Sequence, residues 1–147
     1  MQNGRALAQK AARRSALDAE LARAAAYRTE LRRFLDRTDS VAESAGLTSQ
    51  RYDLLLMLRS AGELRVTELC DLLHLRQTAV TELVKRSEEA GLVERRPSSE
   101  DGRVWLLRTT AEGERRLLRA FTALQDDREA LARAFRQVDR RFRDASR

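Results

Sequence analysis

A mainly α-helical fold with one small β-hairpin is what this sequence predicts, and three observations carry the expectation. One proline and six glycines among 147 residues leave room for long helices. Apolar residues recur at three- and four-residue steps over most of the length. From Leu92 to Thr109 the pattern changes: two short apolar runs flank "PSSEDGR", a stretch with turn-forming residues.

The first amphipathic helix is expected over residues 15–37, where Leu17, Leu21, Ala24, Ala25, Leu31, Phe34 and Leu35 line one stripe. "AESAGLTSQ" interrupts it, and Thr48 is placed to cap the next helix, whose Tyr52, Leu55, Leu56 and Leu58 form a buried face. "AGELR" is a short connection. In "VTELCDLLHL", residues 66–75, Thr67 is the expected cap and Leu69, Leu72 and Leu73 face a core. A tight break leads into "RQTAVTELVKRSEEAGL", residues 76–92, in which Ala79, Val80, Leu83 and Val84 share a face. Gly91 stands where a helix end favours a left-handed residue, and Leu92 supplies the apolar contact that follows. Two short helices across a tight turn make a helix-turn-helix. Residues 92–96 and 104–109 then pair as a hairpin, which completes a winged helix. Thr110 is positioned to cap a last helical region, 110–145, striped by Leu117, Leu118, Phe121, Leu124, Leu131, Phe135, Val138 and Phe142. "QDDRE", residues 125–129, offers a point of division into two helices.

Apolar residues at 42% exclude a disordered chain, and no apolar run is long enough for a membrane span. A single cysteine rules out an internal disulfide framework and fits a reducing cytoplasm, the expected location. The net charge of +6 is a weak guide to function. Its excess lies at the two ends; residues 41–115 hold eleven basic and thirteen acidic side chains. Cys70 and His74 have helical metal-ligand spacing, but the chain contains no other Cys or His to join them, so neither metal nor cofactor is expected. No nucleophile–base pair, phosphate loop or paired-carboxylate motif supports an enzyme.

The sequence resembles the MarR family of bacterial transcription regulators over about residues 15–145. "DGRVWLLRTTAEG", Asp101 to Gly113, follows that family's wing signature, and "VTELCDLLHLRQTAVTELVKRSEEAGLVERR" resembles its helix-turn-helix. The resemblance implies an N-terminal dimerisation helix (1–47), a winged helix-turn-helix that binds DNA (48–110) and C-terminal dimerisation helices (111–147). It further implies a homodimer on palindromic double-stranded DNA, acting as a ligand-responsive repressor, with room for a small-molecule effector. Three positions depart from the family pattern: Arg76 replaces a small hydroxyl residue, Ser87 a leucine, and Thr109 a leucine.

Helical geometry turns Gln77, Thr78, Thr81, Glu82 and Lys85 away from the buried face, towards base edges in a major groove. Arg76 adds a phosphate contact. Glu82 can accept from cytosine or pair with Lys85 or Arg86. On the wing, Arg95 and Arg96 flank the base, Ser98 and Ser99 lie in the loop, and Arg103 reaches phosphates or a minor groove. Asp101 is expected to orient Arg103 across the turn, with Gly102 supplying a positive backbone angle. Two other readings stand beside this one: a winged helix used for protein contact, and a nonspecific architectural DNA binder.

Overall fold

The structure, a computed structural model, describes residues 2–144. In chain order it contains α1 (Gln2–Ser44), α2 (Ser49–Ala61), α3 (Val66–Leu73), α4 (Gln77–Glu89), β1 (Val93–Pro97), β2 (Trp105–Thr109), α5 (Ala111–Ala123) and α6 (Gln125–Asp144). These fall into two units: residues 38–124, and the pair of helical segments 2–37 and 125–144.

The first helix is far longer than its leucine stripe predicts. It begins at Gln2, because "QNGRALAQKAARRS" holds good helix formers with no breaker beyond Gly4. It also runs on to Ser44 and stops only at Gly46, whose φ of +75° is left-handed. Thr48 caps α2 as expected, accepting the Arg51 N–H at 3.2 Å. The cap of α3 is Arg65 instead of Thr67: Glu68 reaches back to accept the Arg65 N–H at 2.7 Å, one half of a capping box.

The core of the 38–124 unit joins α2, α3, α4 and the hairpin with the last turns of α1 and one face of α5. Leu54, Leu55, Leu58, Leu69, Val80, Val84, Leu92 and Leu107 are fully buried in it, together with Val41, Ala42, Leu117 and Ala120. Several expected core positions differ. Leu54 is buried and Leu56 only half-buried, whereas Leu72 is 47% exposed and Ala79 lies on the solvent side. Ser87, where the family pattern has leucine, is buried on the inward face of α4. Its hydroxyl donates to the Leu83 carbonyl at 2.7 Å, so a polar side chain is buried with its donor satisfied. The hairpin is antiparallel, with Val93 opposite Thr109 and Pro97 opposite Trp105. "AGELR" adds to it, since Leu64 and Leu107 exchange both backbone hydrogen bonds, at 3.1 and 2.8 Å.

One junction holds α4, the wing and α5 together. Gly91 adopts φ +72°; its N–H donates to the Glu88 carbonyl and that of Leu92 to the Ser87 carbonyl, both at 2.9 Å. Thr110 donates its hydroxyl to the Gly91 carbonyl at 2.6 Å and its N–H to the Leu92 carbonyl at 3.0 Å, while its side-chain oxygen caps α5. Gly113 then lies against that carbonyl: a Cβ there would sit 2.1 Å from the Leu92 oxygen. Glycine is required here by the close approach of two backbones.

In the other unit α1 and α6 pair antiparallel. Arg37 faces Asp127 at 3.5 Å, and Tyr27 meets Phe135 edge-to-face at 5.0 Å. Further along, Arg23 donates to Asp139 at 2.6 Å, and the Tyr27 hydroxyl donates to the same carboxylate. These two donors hold the Asp139 pKa below the ordinary carboxylate value.

Replacing Gly113 with alanine should lower unfolding stability by about 3 kcal/mol, an overpacking cost with backbone as the obstacle. Denaturant unfolding measures it; a loss under about 0.5 kcal/mol would contradict the close approach. At the start of α5, Arg115 and Arg116 bond Glu112 and lower its pKa to about 2 from 4.5. A depressed carboxylate stabilises the fold at higher pH and stops doing so as pH falls. The contribution should therefore fade between pH 4.5 and about 2, and a carboxyl NMR titration should find the Glu112 midpoint near the lower end.

Candidate nucleic-acid interface

Helix α4 presents a polar band because its buried residues fall on one arc. Val80, Leu83, Val84 and Ser87 point into the core, and Gln77, Thr78, Thr81, Glu82, Lys85 and Arg86 are exposed. At about 100° per residue, Gln77, Thr81, Lys85 and Thr78 occupy one continuous quarter of the surface. Glu82 and Arg86 sit at the far edge, paired at 2.8 Å, so of the readings open to Glu82 the helical ion pair with Arg86 is the one present. Ala79 also faces out there. The Arg86 carbonyl accepts from the Arg51 guanidinium at 3.1 Å, which ties α4 to α2.

The turn before α4 comprises His74, Leu75 and Arg76. His74 is left-handed at φ 53°, so a histidine does what glycine often does in such turns. Arg76 is the N-cap residue of α4 and makes no side-chain capping bond. The first-turn N–H groups of α4 are therefore left without a side-chain acceptor, at the positive end of the helix. That is a setting for an anion, and Arg76 itself is exposed beside it.

On the wing, the expected partnership of Asp101 and Arg103 takes a different form. The Asp101 carboxylate accepts the backbone N–H of Arg103 at 3.0 Å, and the Val104 N–H donates to the Asp101 carbonyl at 2.9 Å. Asp101 thus shapes the turn, and no side-chain ion pair to Arg103 forms. Nor does the turn use a left-handed Gly102; the positive-φ glycines are Gly46, Gly62 and Gly91. Ser98 is a structural residue of the loop: its N–H donates to the Val104 carbonyl at 2.7 Å and its hydroxyl oxygen accepts from the Glu100 N–H at 3.2 Å. Ser99 is exposed.

Residues 76–103 hold six basic and six acidic side chains, and their pairing decides which charges count. Arg86 bonds Glu82, Arg95 bonds Glu88 at 2.7 Å, and Arg96 bonds Glu63 through both of its donor edges, one at 2.6 Å. Arg96 is held from the solvent side of the wing, and it lowers the Glu63 pKa. Among the described residues, Arg76, Lys85 and Arg103 carry no ion-pair partner. The available cations therefore stand at the foot of α4, along its polar band and at the wing turn. Two wing features escape the sequence reading. Glu63 is 33 residues from Arg96, with no local signal linking them. Trp105 is 53% exposed at the base of the loop, although it shares a strand face with the buried Leu107. The described residues contain no cluster of His, Cys, Asp or Glu able to hold a metal ion, and Cys70 is half-buried.

The MarR family model matches residues 45–104, from the α1–α2 turn to the wing loop. Residues 45–104 are thus similar to the winged helix-turn-helix of the MarR family. Over 72 residues it is 35% identical to the uncharacterised HTH-type transcriptional regulator YdgJ of Bacillus subtilis, covering 49% of this chain and 44% of that protein. Over 81 residues it is 31% identical to the HTH-type transcriptional repressor IacR of Pseudomonas putida, covering 55% and 48%. The chain thus spans about half the length of the curated relatives it matches. Among solved structures, the MarR-family regulator SP03579 superposes with TM-score 0.71 at 20% identity, covering 84% of this chain and 82% of that one. A mutant Escherichia coli MarR complexed with operator DNA gives 0.63 at 22% identity, covering 71% and 75%. At these identities the structural likeness establishes the MarR winged-helix fold.

The Arg96–Glu63 pair yields a test of the electrostatics. Glu63→Gln should free the Arg96 guanidinium, tighten binding to random-sequence duplex, and steepen the log–log salt dependence by about 0.9. Fluorescence anisotropy over a salt series measures both. An unchanged slope would mean that Glu63 does not withhold Arg96.

Proposed function

We propose that this protein is a homodimeric, sequence-specific DNA-binding transcription regulator, and that it works as a ligand-responsive repressor on a palindromic operator. The observation that carries the reading is the polar band of α4. It offers Gln77, Thr78 and Thr81, groups that hydrogen-bond base edges or meet thymine methyls, where a purely phosphate-seeking surface would offer cations. The unpaired Arg103 at the wing turn complements it with a contact that carries affinity and little sequence information. A protein-contact face would instead be apolar.

Dimerisation is supported by an uncovered row of leucines on α1. Leu17, Leu21, Leu31 and Leu35 are between 43% and 60% exposed, and with Ala24 they follow steps of four, three, seven and four residues. This is the spacing by which one helix meets another along a seam. On α5, Leu118 and Phe121 are also exposed, at 47% and 38%. They border a hollow of about 310 Å³ with Leu56, Leu117 and Arg59, an apolar lining suited to a small effector. The repressor named among the relatives supports that sense of regulation.

The test titrates wild type, Gln77→Ala, Thr81→Ala and Arg103→Ala against a selected operator and a scrambled duplex at one salt concentration. The α4 variants should lose roughly 1–3 kcal/mol on the operator and much less on the scrambled duplex. Arg103→Ala should weaken both. Equal losses for the α4 variants would favour the architectural reading, and no loss would favour protein contact. Sedimentation should give a dimer for wild type, and Leu21→Arg should shift it to monomer; a folded wild-type monomer at micromolar concentration would contradict the dimer.

A further inference from the structure

Helix α1 outruns its partner. Along the antiparallel pair, α1 positions fall from Arg37 to Arg23 while α6 positions rise from Asp127 to Asp139. Continuing that step brings the end of α6, Asp144, level with α1 near Asp18. The exposure pattern agrees: every residue from Gly4 to Asp18 is exposed, and Ala19 is the first half-buried one. About 20 Å of helix is therefore uncovered by the described residues of this unit.

Its chemistry is one-sided. Arg5, Lys10, Arg13 and Arg14 are its basic residues, and Asp18, at the inner end, is its sole acid. On a helical projection the four cations and Gln9 fall within one half of the circumference. Leu7, Ala8, Ala11, Ala12 and Ser15 fill the other. No ion pair involves any of the four cations among the described residues. Arg140, Arg141 and Arg143, all exposed, extend the positive surface on the adjoining end of α6.

We propose that this basic overhang is a second nucleic-acid contact, separate from the winged helix and directed at the phosphate backbone. From Arg5 to Arg14 the cations span about 13 Å of helix axis, a length over which duplex DNA presents about eight phosphates. Three of the four are arginines, whose planar fork suits phosphate oxygens. Cations dominate the surface, so it favours phosphates over base edges. The opposite half holds one leucine, four small residues' worth of shallow surface and no aromatic residue, too little to enter a lipid interface. A chain already on DNA through its wings would meet further phosphates at high effective concentration, so even weak contacts would add to the total.

The experiment compares the full chain with R5Q/K10Q/R13Q/R14Q, each with Arg103 intact and with Arg103→Ala, on random-sequence duplex over a salt series. In both backgrounds the glutamine variant should bind at least tenfold more weakly at low salt, with a log–log slope shallower by about two or more. An unchanged slope and affinity would overturn the proposal. If Arg103→Ala alone had no effect while the glutamine variant did, the wing reading would fail and this one would stand. Sedimentation and circular dichroism of the variant should match wild type; a loss of dimer mass would assign the overhang to the subunit interface instead. Loss of binding to phosphatidylserine vesicles with DNA binding intact would assign it to a membrane surface, and would equally overturn the proposal.

Discussion

The Leu92 carbonyl is the point on which the winged helix turns. It accepts the Thr110 N–H at 3.0 Å and lies so close to Gly113 that no side chain fits between. The residue's own N–H closes the end of α4, and its side chain is buried in the core. Four elements thus converge within a few ångströms: the end of the recognition helix, the start and end of the hairpin, and the first turn of α5. A backbone contact cannot adjust by changing rotamer, so the angle between helix and wing is fixed by packing and hydrogen bonds together. The α4 band and the wing turn are thereby held at one angle to each other.

Charge pairing refines that frame. A count of ionisable groups makes the helix and wing look neutral, and the count misleads. Glu82, Glu88 and Glu63 each engage an arginine, leaving Arg76, Lys85 and Arg103 available at separate places. Exposed pairs of this kind add little stability. Their larger consequence is to decide which cations remain for a polyanion. The same logic applies to α1, where unpaired basic residues gather on the stretch that α6 does not reach.

Much of this was legible from the sequence, and the misses have physical causes. Local signals worked where the chain acts locally: Thr48 and Thr110 cap their helices, Gly91 turns left-handed, and the hairpin pairs where its alternation starts and ends. The wing motif from Asp101 to Gly113 carried the resemblance and, with it, the winged-helix fold. Failures came where local groups compete for one partner, or where the partner is distant in sequence. Thr67 loses the capping position because Glu68 satisfies the Arg65 N–H first. Ala79 reads as core yet is exposed, and Ser87 holds the inward position with its hydroxyl bonded to the Leu83 carbonyl. Asp101 and Arg103 do interact, but through a backbone N–H that spacing alone does not distinguish from a side-chain pair. The Arg96–Glu63 bond, across 33 residues, leaves no trace in any window of sequence.

The central claim is that α4 and the wing engage one duplex together as a rigid body. Backbone amide NMR during titration with an operator duplex selected from the source genome tests it most directly. The account predicts that amides of residues 76–86 and 98–103 shift with one common midpoint, while those of Leu92 and Gly113 stay protected from hydrogen exchange throughout. Wing amides that move at a separate midpoint, or shifts that bypass Gln77 to Thr81, would contradict it.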